Sequence, residues 1–435
     1  MISCDTCSEY RAERAGYPVR IRRSMTIAML VFGSWCSAPA HGGVVHVRQD
    51  GTGDFVDLQE GIEATAPGDT VLVGAGRYDN IQEFMFSSGI PGWVIAFVNK
   101  PNLSIIGVSP DSVRIGPADP VDNVDGRATG GIVTDAGGEG LRLESLTVEN
   151  VNYGVQVKQS HVSISHCVLR SCKSAELYAG ETSDLRIQDT QFDGPRGNWA
   201  ALCQFVDGLT FERCEFVLAL PHANFVYSMN LAAITSLVVE SCVFEGFGSG
   251  VYLWGGGTAT ITNNEFRGWE DGIGDATSTN LGVNAIWLSE GVVADVSNNT
   301  VSQHHENSLV FKQSHITGSG NDLAPSHVHT LFSDAGRTGT ITFNHNRIGR
   351  GGEHSAFVVR RDADSTAADL RFNDWGSSDV NRIWTWIRSA KDFDPEGTNG
   401  YIDPMIEPII PSVPAQTAPV SRLKGRYRRP SMEGQ

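Results

Sequence analysis

Six residues stand where their types and spacing allow chemistry: Lys158, Tyr252, Trp254, Trp287, Lys312 and Arg360. They fall in short runs of one pattern: GVQVKQ (154–159), GVYLWG (250–255), NAIWLSE (284–290), SLVFKQ (308–313) and AFVVRR (356–361). In each run apolar residues alternate with polar or aromatic ones, the period of a strand with one buried face. With Val155, Val157, Val251, Leu253, Ile286, Leu288, Leu309 and Phe311 inward, the six point outward. Stacked strands would gather them on one external sheet. Flat aromatic faces suit the apolar faces of sugar rings, and Lys or Arg suits uronate carboxylates. The expected ligand is therefore an acidic polysaccharide. The long stretch 266–296 would bring Trp269, Glu270, Asp271 and Asp275 up as a groove wall.

The same residues admit a reaction. Elimination on a uronate needs a cation to neutralise the carboxylate and a base to take the adjacent proton. Lys158, Lys312, Arg360 and Arg361 are the candidate bases. Asp271, Asp275 and Glu290 are the candidate calcium ligands, and calcium is the one cofactor this reading would use. Their spacing is not diagnostic. Seven histidines lie in 304–354 (His304, His305, His315, His327, His329, His345 and His354). Zinc needs three or four convergent ligands, so turn positions on a polar surface are the simpler expectation.

What must position these residues is a repeat. Ten segments align in one frame, from LRLESLTV (141–148), VSISHCVL (162–169) and LRIQDTQF (185–192) to ITFNHNRI (341–348) and LRFNDW (370–375). The first column is apolar: Leu143, Ile164, Ile187, Phe211, Val239, Ile261, Val296, Gly318, Phe343 and Phe372. The last is large and apolar, from Val148 through Phe192, Phe216, Phe244 and Phe266 to Ile348. Between them run Leu146, Cys167, Thr190, Cys214, Cys242, Asn264, Asn299, Asn321, Asn346 and Trp375, at intervals of 21 to 35 residues. Each segment reads as a strand ending in a tight turn, without a helix-length pattern between strands. The expected fold is all-β: one parallel β-helix of about 11–13 coils, right-handed by the resemblance given below. Inward asparagines at a bend can bond each other and the buried backbone.

Solenoid ends need covers. At the start, a short helix with Asp57 as N-cap and Leu58 and Ile62 on one face is expected. At the far end, Val380, Ile383, Trp384 and Ile387 have helical spacing after Ser378 as N-cap. The β-helix domain is assigned to 41–406. Residues 407–435 turn Pro-rich and then basic, a composition of disorder. Residues 1–40 have the layout of a secretory signal: Arg20, Arg22 and Arg23, an apolar run at 26–38, then Ala38-Pro39-Ala40. The chain is thus expected to be secreted, periplasmic or on the cell surface, and a monomer. Five of the eight cysteines follow the signal, too few for a disulfide scaffold. Cys214 and Cys242 fall on adjacent coils, within disulfide reach; free thiols are expected.

Thirty-three Lys and Arg against fifty Asp and Glu give a net charge of −17, the wrong sign for nucleic acid. Past the leader, no segment is apolar enough to span a membrane.

The stretch Val44–Asn80 resembles the opening of the pectin-lyase-like right-handed β-helix superfamily. DGTGDF…LQEGIEAT (Asp50–Thr65) is similar to the start of pectin methylesterases, and DTVLVGAGRYDN (Asp69–Asn80) to that of many bacterial secreted β-helix proteins. NDWGSS…IWTWI…DFDPEGTNGYIDP (373–404) is similar to the closing unit of the latter. The resemblance implies the fold over about 44–406 and leaves the activity open, because the superfamily holds esterases, lyases, hydrolases and epimerases. Its catalytic signatures do not transfer. Gln188-Asp189-Thr190 matches a methylesterase pattern by letters but sits inside the repeat strand, and the next coil supplies no second aspartate. The hydrolase G-H-G and R-I-K and the pectate-lyase W-x-D-H and R-x-P-x-x-R are absent. The leading expectation is an exported protein that binds polysaccharide or serves as a surface scaffold. A lyase on an acidic polysaccharide is the alternative.

Overall fold

The computed structural model describes residues 42–389, apart from 159–160, 198, 219–226, 247–248, 269–283, 303–306, 325–328, 335–338, 350–356, 361–367 and 385–386. Three sheets run the length of this region, of 13, 11 and 14 strands. A typical coil gives one strand to each: Leu141–Glu144 to the first, Thr147–Glu149 to the second, Tyr153–Lys158 to the third. Neighbouring strands within a sheet come from successive coils and pair in parallel. The exceptions among the described residues are two short antiparallel strands, Gln82–Met85 and Asn123–Val124, on the third-sheet strands Pro91–Val98 and Arg127–Thr134. The fold is a right-handed parallel β-helix, all-β as the repeat requires.

The interior is built from columns. Phe192, Phe216, Phe244 and Phe266 stack face to face on four coils, with centroids 4.5, 4.8 and 4.6 Å apart. This spacing matches that of adjacent strands, so like residues meet like. The first column is equally buried from Leu143 to Phe343, and Gly318 is its small member for a reason. A Cβ there would lie 2.5 Å from the ring of Phe343 on the next coil.

The corner between the first and second sheets holds the middle column. The residue before it adopts the left-handed conformation in coil after coil, at Ser145, His166, Asp189, Arg213, Ser241, Asn263, Asn298 and His345. This bend turns the next side chain inward. From Asn264 on, each asparagine Nδ2 donates to the Oδ1 of the next: Asn264 to Asn299, 3.0 Å; Asn299 to Asn321, 3.1 Å; Asn321 to Asn346, 2.8 Å. The backbone N–H of each donates to that same oxygen. Asn346 continues to Asn373, not to Trp375. Trp375 instead follows Ile348 in the large apolar column, and Leu370, not Phe372, follows Phe343. The last coil is offset by two residues because Phe372 takes the left-handed bend and stands exposed.

In the earlier coils Cys167, Cys214 and Cys242 fill the same corner as buried free thiols. Burial pushes the Cys167 thiol up to about 12. Among the buried polar groups without a hydrogen-bond partner in the described residues, one is a whole carboxyl. Glu176 is fully buried, and neither of its carboxylate oxygens has a hydrogen-bond partner among the described residues. Burial, then the charge of Asp193, hold its carboxyl far above the usual carboxylate range.

The N-terminal cap is the expected helix, Leu58–Ala64, with the Asp57 carboxylate accepting from the N–H of Gln59 and Glu60. At the far end the helix is one turn, Val380–Trp384. Its cap is Asp379, which accepts from Asn381 and Arg382, not Ser378. Ile387 belongs to a strand, Ile387–Ser389, added to the third sheet beside Phe357–Arg360. Pairing the sheet edge satisfies backbone groups that a longer helix would leave open. The expected export signal, 1–40, and the expected disordered tail, 407–435, lie outside the described residues.

Candidate functional site

The outer face of the third sheet carries the predicted residues, in two columns. Val155, Val157, Val251, Leu253, Ile286, Leu288, Leu309 and Phe311 are buried, so the alternation read from sequence holds. One column runs Gln156, Tyr178, Leu202, Asn230, Tyr252, Trp287 and Val310. The next begins Lys158, Gly180, Gln204, Ala232 and Trp254; further on, Ser289, Lys312, Asp334 and Arg360 are in register.

Four of the six residues converge. Tyr252 meets Trp287 edge to face at 5.4 Å, and Tyr227 lies 5.7 Å beyond Tyr252. The Lys312 ammonium sits over the Trp287 ring, 4.5 Å from its centroid. Trp254 is partly exposed and its indole N–H donates to Asn230 Oδ1 at 3.4 Å. Burial, then Tyr227 and Glu290, raise the Tyr252 phenol. The result is an aromatic platform with one cation held against it. Arg360 lies two coils past Lys312 in the same column by backbone register.

Lys158 is elsewhere. Four strand spacings separate it from Trp254, roughly 19 Å. It lines a cleft of about 460 Å³ with Phe86, Ser87, Asp135, Tyr178, Glu181 and Phe205 among its walls. Here the antiparallel strand Gln82–Met85 and the turn after it rise over the sheet. Asp135 is nearly buried at the cleft base. Ser87 Oγ donates to its Oδ1 at 2.7 Å, and the Ser87 N–H donates to Oδ2. Burial works to raise the Asp135 carboxyl. The bonds from Ser87 and Ala136 and the charge of Lys158 outweigh it and keep the group ionised below its ordinary value. The cleft thus offers a fixed anion, a free-reaching ammonium, two amides (Gln156, Gln204) and aromatic walls. Phe205 stands out from a left-handed turn, 63% exposed.

The strands Ala175–Thr182, Trp199–Val206 and Tyr227–Ala232 were not legible as carriers of site residues, and neither was Asp135. AELYAGET puts a glutamate among its inward positions and WAALCQFV is apolar on both faces over most of its length, so neither shows a clean alternation. Of the calcium ligands, Asp271 and Asp275 lie outside the described residues, as do Trp269, Glu270 and Arg361; Glu290 is an exposed turn residue. Among the described residues no group of three His, Cys, Asp or Glu is placed to hold a metal ion. His315 Nδ1 bonds Thr340 Oγ1 at 2.9 Å, and His345 stacks on Phe372. Of the other zinc candidates, His304, His305, His327 and His354 lie outside the described residues. Asp189, the letter match to a methylesterase, accepts from Nε and Nη2 of Arg213, each at 2.8 Å, at the first-to-second sheet corner, away from the third sheet.

The family described as Right handed beta helix region matches residues 122–273. No curated protein sequence matches the chain. Among solved structures, the ORF18 protein of Geobacillus virus E2 is 14% identical, with a TM-score of 0.36 over 75% of this chain and 61% of that one. The tailspike protein of Acinetobacter baumannii bacteriophage Fri1, a capsular polysaccharide depolymerase, is 13% identical, with a TM-score of 0.41 over 84% and 65%. The mannuronan C-5 epimerase A-module of Azotobacter vinelandii is 13% identical, with a TM-score of 0.39 over 81% and 94%. The chain spans less than two thirds of the first two. None of these activities transfers at such identities.

Proposed function

We propose that this chain, whose residues 122–273 match the family described as Right handed beta helix region, binds acidic polysaccharide along the outer face of the third sheet. The observation that carries this reading is the convergence of Tyr252, Trp254, Trp287 and Lys312 on neighbouring coils. Rings supply flat apolar area for sugar faces, and the ammonium supplies the counter-charge for a uronate. A net charge of −17 does not oppose this, because a local cation governs a local contact. We also infer that residues 1–40 direct export, which would put the face in contact with extracellular polymers.

The test is titration of the purified chain against a panel of acidic and neutral polysaccharides, followed by product sizing by mass spectrometry. Saturable binding to acidic polymers, weakened in Trp287→Ala and Lys312→Ala, is the expected result. Equal, unsaturable response to every polymer would sink the reading and leave a scaffold. The lyase alternative rests on Lys158 beside Asp135 in the cleft; shortened chains with an unsaturated end would establish it. N-terminal sequencing of protein recovered from culture fluid tests export.

A further inference from the structure

Where the chain passes from the third sheet to the first, beyond the cleft, a serine, a histidine and an aspartate lie close together. His161 opens one coil of the first sheet; Asp184 occupies the same place on the next, since Val162 pairs with Leu185. His161 Nδ1 lies 3.2 Å from Asp184 Oδ2. His161 Nε2 lies 3.1 Å from Ser183 Oγ. A ring with its proton on Nδ1, the side facing the carboxylate, leaves the Nε2 lone pair to accept from the serine hydroxyl. That is the order nucleophile, base, orienter, which is recognised by geometry and not by sequence position. The backbone holds both sides of the set. Gly140 N–H donates to the His161 carbonyl at 2.8 Å, and Asp207 N–H to the Thr182 carbonyl at 3.1 Å. Asp184 adopts the left-handed conformation, φ 45°.

We propose that Ser183, His161 and Asp184 remove O-acyl groups from a polysaccharide seated in the Asp135–Lys158 cleft. Gly180 and Glu181, which line the cleft, are the residues just before Thr182 and Ser183. A polymer that extends from the cleft along the end of this strand would reach the serine. Ser183 Oγ attacks the acyl carbonyl carbon while its proton passes to His161 Nε2. The acyl C–O bond breaks, and the sugar oxygen leaves with that proton. Water then attacks the acyl-serine, His161 takes and returns its proton, and a free carboxylic acid departs. Asp184 is 74% exposed, so water screens the support it gives the imidazolium. This favours esters, whose leaving group is good, over amides. The nucleophile half of the inference is independent of the polysaccharide reading; the substrate half rests on it.

The experiment treats the full chain with a fluorophosphonate probe and, separately, with p-nitrophenyl acetate. The expected result is one equivalent of probe on Ser183, located by tandem mass spectrometry. Ester hydrolysis should fall at least tenfold in Ser183→Ala and His161→Gln, and by less in Asp184→Asn. No labelling of Ser183, or unchanged hydrolysis in Ser183→Ala, overturns the nucleophile. A second arm measures acetate released from an O-acetylated acidic polysaccharide. Labelled Ser183 without acetate release upholds the nucleophile and overturns the polysaccharide as its substrate.

Discussion

The two patches on the third sheet are one surface with two chemistries. The aromatic platform at Tyr252–Trp287–Lys312 is made of rings that pack on each other and on a cation. The cleft at Asp135–Lys158 is made of polar groups fixed by hydrogen bonds, with Ser87 clamping the carboxylate. Their foundations differ too. The platform straddles a change of corner residue, with Cys242 on the coil of Tyr252 and Trp254 and Asn264 and Asn299 on those of Trp287 and Lys312, while the cleft coils have Leu146, Cys167 and Thr190 there and a buried Glu176 carboxyl without a hydrogen-bond partner among the described residues. The difference teaches that a solenoid sets its stability and its surface chemistry coil by coil, because each coil answers mainly to its neighbours.

The largest expected effect is at the foundation. Asn299 accepts two bonds from Asn264 and donates to the Ile261 carbonyl and to Asn321. Asn299→Ala should cost about 3–4 kcal/mol by leaving several buried groups unpaired. Cys167→Ala in the cleft half should cost only about 1–2 kcal/mol, the loss of a small apolar group. Urea titration of both variants compares the halves, and equal costs would erase the distinction. Next is the ligand. Trp287→Ala should weaken acidic polysaccharide about tenfold by titration calorimetry, since ring stacking and the Lys312 contact go together. Lys158→Ala should weaken it about threefold, with most of that loss gone in high salt. The reverse ranking would make the cleft the main binding site.

Such predictions depend on what each part of the chain displays. The columns were readable because burial forces one residue class at one position per coil, and the outward residues follow from strand alternation. The cleft was not. Ser87 and Asp135 are 48 residues apart and meet only because a short antiparallel strand folds over the sheet. His161 and Ser183 are 22 apart, and only the coil register brings them within 3.1 Å. The last coil was misread by two residues because Phe372 and Trp375 are both large enough for either column; backbone conformation, not composition, separates them.

A smaller effect tests the interior of the cleft half. Because folded Glu176 holds its proton, its favourable share of stability is complete below the unfolded-chain pKa of about 4.5. It is lost as pH rises toward the folded value. Glu176→Gln should therefore raise Tm by about 2 °C at pH 7 and leave it unchanged at pH 4, read by calorimetry. The smallest signal is an absence of reaction. Burial holds Cys167 and Cys203 near pKa 12, so a thiol reagent should modify neither until the coils open in denaturant.

The roughly 19 Å between Lys158 and Trp254 is set by four strand spacings, which thermal motion hardly stretches. The sheet is thus a stiff bar with two grips. An oligosaccharide shorter than the bar can hold only one grip at a time. A chain long enough to reach both meets the second at a high effective concentration, so affinity should climb in a step with ligand length, not smoothly.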